Sequence, residues 1–227
     1  MNVKLISYSQ GEKNESLQDI IAYTARVSNP SNQDNTETSE RLLRYLIREK
    51  HWSPFEMVSA CLEVTTTRDI ARQLLRHRSF SFQEFSQRYA DPTKDLDFHM
   101  REARLQDTKN RQNSIELSDM MDSDQRVDLE LNWLQKQAGV INEAKKAYEW
   151  AIESGIAKEQ ARSVLPEGIT DSRLYVNGTI RSWVHYVDLR SGNGTQKEHI
   201  EVAQQCALAL KPIFPMIMEF CHGADRL

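Results

Sequence analysis

The chain has 227 residues, is 39% hydrophobic, and carries 29 Lys plus Arg against 33 Asp plus Glu, a formal net charge of −4. A chain of this size buries one sizeable core, so a single domain is expected, and the acidic balance excludes the whole-surface basic footprint of a general nucleic-acid binder. "MNVKLISYSQ" has too short an apolar run for a signal peptide and no stretch reaches membrane-span length, while Cys61, Cys206 and Cys221 lack CxxC or metal-finger spacing, so a soluble cytoplasmic protein without structural zinc is expected.

"VKLISY" reads as an opening strand, and "SLQDIIAYTARVS" as a helix with Leu17, Ile20, Ile21, Thr24 and Val27 at helical spacing, capped by Ser16 with Asp19 and closed by Pro30. After a polar loop through Asn35, "SERLLRYLIREKH" places Leu42, Leu43, Leu46 and Ile47 on one helical face. "MVSACLEVTTT" alternates and is rich in β-branched residues, the pattern of a strand. "RDIARQLLRHR" returns to a helical period, which sets Arg72 and Arg76 one turn apart and pairs Gln73 with His77. A loop or strand follows at "SFSFQEFSQRY".

Residues 91–125 are polar, with few apolar anchors, and are expected to form an exposed insertion. A long helix is expected from about Val127 to Ile152, stopped by Gly155, and a shorter one over "AKEQARSVLP" to Pro166. "NGTIRSWVHYVDLR" reads as a helix with Ile180, Trp183, Val184 and Val187 toward the core and Arg181, His185 and Asp188 opposite. In the last helix, "EHIEVAQQCALALKPIFPMIMEF", Pro212 and Pro215 force a kink or break. Without regular βαβ alternation, and with Lys197 where a third glycine would complete the Gly192/Gly194 pattern, the class is α+β with a mixed sheet and long helices, not a dinucleotide-binding doubly wound fold.

The chemistry concentrates in "RQLLRHRSFSFQEFSQRYA", where Arg72, Arg76, His77, Arg78 and Arg88 are interleaved with Phe80, Phe82 and Phe85, and Glu84 and Ser86 sit among them. Guanidinium is a planar fork that matches phosphate oxygens and stacks on flat rings. The segment therefore suits a nucleotide phosphate or pyrophosphate, with Glu84 accepting from a ribose hydroxyl or orienting an arginine. A solvated ion-pair cluster over a phenylalanine core fits the composition equally well. Single-stranded RNA is a third reading, since basic residues alternating with aromatics suit base stacking, but the acidic balance weighs against it.

The order of the residues adds more. Arg-His-Arg, seven residues, then Ser86, continuing as "QRY", resembles the signature of the flavin-dependent thymidylate synthases. "HWSPFEM" at 51–57, "ARSVLP" at 161–166, "RSWVHYVDLR" at 181–190 and "QKE" at 196–198 are similar to further blocks of that family in the same order; only 91–125 has no clear counterpart. Gln83 stands where the signature usually has Asn, and Thr179-Ile180-Arg181 where many members have Asn-Ala-Arg.

The resemblance implies a homotetramer with active sites at subunit interfaces, making dTMP from dUMP with 5,10-methylenetetrahydrofolate as carbon donor and NADPH as reductant through FAD. It implies FAD contacts from Ser53, Arg76, His77, Arg78, Glu84, Thr179, Arg181 and His185. For dUMP it implies Gln73, Arg76, Glu84, Ser86, Gln87, Arg88, Arg162 and Arg190, with Arg190 beside the pyrimidine, stabilising charge as the ring becomes nucleophilic at C5. No metal, nucleic acid or membrane belongs to that picture. The three cysteines read as small buried hydrophobes rather than nucleophiles, and Ser86, with no base beside it, as a substrate contact.

Overall fold

A computed structural model describes residues 1–13 and 15–224. Strand β1 (Asn2–Tyr8) leads to helices α1 (Leu17–Ala25) and α2 (Ser39–Arg48), then β2 (Ser59–Thr67), α3 (Arg68–Leu74) and β3 (Ser81–Glu84). A one-turn helix α4 (Pro92–Asp95), a small hairpin β4 (Arg104–Gln106) and β5 (Ser114–Glu116), and the 31-residue α5 (Ser123–Glu153) follow. The chain closes with α6 (Lys158–Ala161), β6 (Asp171–Thr179), α7 (Ile180–Ser191) and α8 (Lys197–Leu210).

The main sheet has the order β1-β2-β6-β3 and every pairing in it is antiparallel, so the α+β class holds while the expected mixed sheet does not. The strand that decides this, β6, has no expected counterpart: the sequence pattern assigns nothing between Pro166 and a helix expected from Asn177. It runs back along β2 in unbroken register from Ser59↔Thr179 to Thr67↔Asp171. Its inward positions are Ser172, Leu174, Val176 and Gly178, of which only two are large and apolar, so the period of two is faint in the sequence. In β2 the same alternation is plain, with Ala60, Leu62 and Val64 fully buried.

Helices α3, α7 and α8 pack on the sheet and close one core around Trp183, Tyr186, Phe55 and Phe214. Trp183 is fully buried, and its indole N–H donates to the Ala60 carbonyl at 3.0 Å, which ties α7 to β2. Burying each large apolar side chain of α7 contributes about 1.5–3 kcal/mol relative to exposure. Gly178 is required by packing: a Cβ there would lie 2.3 Å from the Phe80 ring.

Several helix boundaries differ from expectation: α1 ends at Ala25, short of Val27, α5 starts at Ser123 rather than Val127, and three more bear on the candidate residues. Helix α3 ends at Leu74, so Arg76 is not one turn above Arg72 on a common helix but lies in the turn that follows. Only Lys158–Ala161 is α-helical in the segment before Pro166, the rest being a 3-10 turn over Arg162–Val164. Helix α7 begins at Ile180, since Asn177 to Thr179 still pair with β2, and Thr179 caps it by accepting from the Ser182 N–H. The break at Pro212 and Pro215 is as expected, with α8 ending at Leu210 and a 3-10 turn over Pro215–Phe220.

Residues 91–125 are largely exposed but anchored. The His99 N–H donates to the Ile169 carbonyl at 2.8 Å, Leu117 is buried, and Arg101 meets Asp69 at 2.7 Å. Arg104 pairs with Glu198 at the start of α8. Apart from Leu117, these anchors are charged or backbone groups, which a hydropathy reading does not register.

Candidate functional site

Helix α7 organises the residues singled out in the sequence, and it does so at two separate ends. At its C-terminal end, Arg190 Nε–H donates to His77 Nε2 at 2.9 Å. His77 lies in the turn after α3, and its ring meets the Tyr186 ring edge-on with centroids 5.0 Å apart. His199 on α8 is fully buried, with Nδ1 3.1 Å from Gln73 Oε1 and Nε2 3.2 Å from the Tyr186 hydroxyl.

Both histidines are held neutral. Burial, then the Arg190 guanidinium, lowers His77 from its ordinary value to about 4. Burial, then Arg190 and His77, takes His199 to about 3. Since Arg190 donates to His77 Nε2, the His77 proton resides on Nδ1. Arg190 keeps its terminal nitrogens for a ligand, because only Nε is committed to a protein partner among the described residues.

At the N-terminal end of α7, Arg181 pairs with Glu56 at 2.5 Å and the His185 ring lies 4.7 Å from Trp52. Burial, then Arg181, lowers the His185 pKa, and Asp188 opposes the shift. Ser53 is exposed on the 3-10 turn Ser53–Glu56 beneath this group. The Thr179 hydroxyl is occupied at the helix cap and lies 3.2 Å from Ser182 Oγ.

A third group follows β3. Arg88 meets the Glu159 carboxylate at 3.3 Å, Arg162 Nε donates to the Glu159 carbonyl at 3.3 Å, and Lys158 Nζ donates to the Tyr89 carbonyl at 3.0 Å. Ser86 heads this turn, its Oγ 3.4 Å from the Arg88 N–H. Gln87 is 4% exposed, yet its amide nitrogen has no hydrogen-bond partner among the described residues. A buried donor left in that state costs about 1–3 kcal/mol, which a ligand or partner acceptor would recover.

Glu84 accepts from Ser172 Oγ–H at 2.8 Å and faces the buried Arg68 at 3.5 Å, so it orients an arginine outside the signature rather than one within it. Arg76 and Arg78 are exposed and have no side-chain hydrogen bond or ion pair among the described residues. The single chain therefore gathers Gln73, His77 and Arg190, and separately Ser86, Arg88 and Arg162. It leaves Ser53, Arg181 and His185 in their own cluster.

Sequence reasoning did not assign site roles to Tyr186, Gln196, Glu198 or His199. The last three fall inside "QKEH", where the available signal was the similarity of "QKE" to a family block; Glu198 and His199 are the buried members of the run.

Guanidiniums without carboxylate partners, a buried amide donor without an acceptor, and aromatic rings beside neutral imidazoles are groups suited to flat, phosphate-bearing ligands. This is the chemistry of a nucleotide-handling α+β protein. The chain matches the family model described as "Thymidylate synthase complementing protein" over residues 4–216. It is 47% identical over 219 residues to a probable flavin-dependent thymidylate synthase of Paramecium bursaria Chlorella virus 1, covering 96% of this chain and 97% of that one. It is 48% identical to the flavin-dependent thymidylate synthase of Synechocystis sp., covering 94% of each.

Among solved structures, a UMP/dUMP methylase, PolB of Streptomyces cacaoi, superposes with a TM-score of 0.73 at 27% identity in its complex with 5-Br dUMP, over 96% of this chain and 93% of that one. Its complex with 5-Br UMP superposes with a TM-score of 0.76 at 26% identity, over 100% and 95%. The chain belongs to the flavin-dependent thymidylate synthase family. No helix among the described residues is long and apolar enough to cross a membrane.

Proposed function

We propose that this chain methylates dUMP to dTMP, with 5,10-methylenetetrahydrofolate as carbon donor and NADPH as reductant through FAD, as a homotetramer with shared active sites. The observation that carries the reading is Arg190. Its Nε is fixed on a neutral His77 while its terminal nitrogens stay available. Beside a uracil ring those nitrogens stabilise the negative charge that develops as C5 becomes nucleophilic, an interaction that strengthens toward the transition state.

No thiol is poised to attack the ring. Burial raises the pKa of Cys61, Cys221 and, most of all, the fully buried Cys206, so none is a ready thiolate at neutral pH. Ser86, Arg88 and Arg162 supply donors for the nucleotide phosphate, with Glu159 keeping the two arginines together.

The residues present fit FAD. The unpaired Arg76 and Arg78 and the Nδ1–H of His77 would hold its pyrophosphate and ring, with Ser53, Arg181 and His185 completing the set. When bound, the reduced flavin supplies the electrons that convert the transferred methylene group to methyl. Arg181 and His77 belong to opposite ends of α7, a 12-residue helix about 18 Å long, so one copy does not bring the two flavin sets together. Sharing between copies would bring both sets to one flavin, which supports the homotetramer reading. Helix α5 offers a surface for assembly, since it buries only Gln137, Ala144, Tyr148 and Ala151 and exposes Val127, Leu131, Trp133, Leu134 and Val140.

The test is reconstitution with FAD followed by gel filtration with light scattering, then a dTMP assay with dUMP, methylenetetrahydrofolate and NADPH. A yellow tetramer that forms dTMP is expected. A folded sample that takes up no flavin but retains single-stranded RNA on a filter would overturn the reading.

A further inference from the structure

A directional chain of hydrogen bonds runs through the core from α8 to α7. Glu198 is 9% exposed and sits at the start of α8. Arg104 pairs with its Oε1, and Arg101, which also grips Asp69, lies 3.8 Å from its Oε2. The Gln196 amide nitrogen donates to Glu198 Oε2 at 2.9 Å, and the Gln73 amide nitrogen donates to Gln196 Oε1 at 2.9 Å. Gln73 Oε1 then faces His199 Nδ1, and His199 Nε2 faces the Tyr186 hydroxyl.

Only one end of this chain has no choice of polarity. An ionised carboxylate accepts and never donates, whereas each carboxamide can flip and the imidazole can change tautomer. Burial alone would raise the Glu198 pKa, but its N-terminal helix N–H, the Gln196 amide and the guanidiniums of Arg104 and Arg101 outweigh that and leave it below the ordinary value. Gln196 must therefore turn its nitrogen to Glu198 and its oxygen to Gln73. Gln73 must turn its nitrogen to Gln196 and its oxygen to His199, so His199 carries its proton on Nδ1 and accepts from Tyr186.

We propose that the Glu198 carboxylate, acting through Gln196, fixes the orientation of the Gln73 carboxamide, and that Glu198, Gln196 and His199 are positioning residues for the pyrimidine nucleotide. The link to the nucleotide rests on the proposed function, with Gln73 as the dUMP contact that the family resemblance implies; the polarity of the chain does not. Gln73 is left with one uncommitted N–H in a set direction, a preorganised donor rather than an amide that must be ordered when substrate arrives. Arg101 and Arg104 give the segment 91–125 a task in this arrangement, because they hold the carboxylate that sets the polarity.

The experiment reads the His199 tautomer from its ring nitrogen resonances in the full-length, 15N-labelled protein, assigned by their loss in His199→Gln. A single Nδ1–H form is expected in the wild type and in Tyr186→Phe, since polarity is imposed from the opposite end. Gln196→Leu cuts the chain but leaves the Glu198 ion pairs in place, so this variant is expected to fold. It should show both tautomers and a KM for dUMP raised ~3- to 10-fold, from the net worth of one hydrogen bond, with flavin content and kcat little changed.

An Nε2–H form in the wild type, or a tautomer unaffected by Gln196→Leu, overturns the proposal. A tautomer that responds while the KM for dUMP does not overturns the assignment of these residues to substrate positioning. The resonance readout needs no turnover, so failure of the chain is distinguishable from failure of the proposed reaction.

Discussion

The two ends of α7 use the same residue types in opposite ways. At the C-terminal end, Arg190 and His77 belong to a closed network in which His199 and Tyr186 are fully buried, and the histidines are driven neutral by desolvation. At the N-terminal end, Arg181 pairs with Glu56 where both side chains are 42% exposed, and His185 rests on Trp52 at the surface. One end is organised by the fold of a single chain. The other is a set of accessible groups whose geometry a ligand or a second copy has to complete.

The largest effect expected from testing that contrast is on Arg190. Arg190→Ala should lower dTMP turnover ~100-fold or more, the scale of removing one electrostatic donor from a transition state, while bound flavin measured by absorbance stays near wild type. Near-normal turnover in a folded Arg190→Ala sample would end the distinction between the two ends.

Gly178→Ala probes how rigid the buried end is. The added Cβ would lie 2.3 Å from the Phe80 ring, which packs on Trp183 with centroids 4.5 Å apart and on Tyr186 at 5.9 Å. Overpacking of this kind costs about 1–3 kcal/mol, to be read from the urea midpoint. An unchanged midpoint would mean that the Phe80 cluster yields easily.

Acid should separate the ends next. His77 at about 4 and His199 at about 3 both lie below the ordinary value near 6.5, so the unfolded chain binds more protons than the folded one as pH falls. Their contribution to stability is full above about pH 6.5 and is lost as pH drops from there through about 4 for His77 and about 3 for His199. His199→Gln should flatten this slope in urea titrations across that range, and His185→Gln should alter it less. Equal changes in slope would show that the two ends do not differ in burial as described.

The smallest effect belongs to the exposed pair. Glu56→Gln should change stability by no more than about 1 kcal/mol, because water and salt screen a pair this open. A larger loss in the urea midpoint would show that the pair is structural after all.

Much of this was legible in the chain. The alternation of "ACLEV" gave β2, and Ile180, Trp183, Val184 and Val187 identified the buried face of α7 correctly. The order of the signature residues gave the family. Strand β6 was not legible because Ser172 and Gly178 occupy half of its inward positions, and Gly178 is small for the sake of Phe80, which is remote in sequence and lies just ahead of the neighbouring strand β3. Arg76 was misplaced because helical spacing continues in the sequence past Leu74, where the backbone turns to deliver His77 to Arg190.

What the sequence by itself determined is the set of groups and the family: local periodicity and residue order survive without knowledge of distant neighbours. What only the tertiary structure decided is their state. A histidine becomes a neutral donor, a glutamine becomes a fixed amide and a glutamate becomes the acceptor that orients both, through desolvation and hydrogen bonding. In Gln73, His199 and Glu198 those terms come from residues up to 126 positions apart, as between Gln73 and His199, and only folding brings them together.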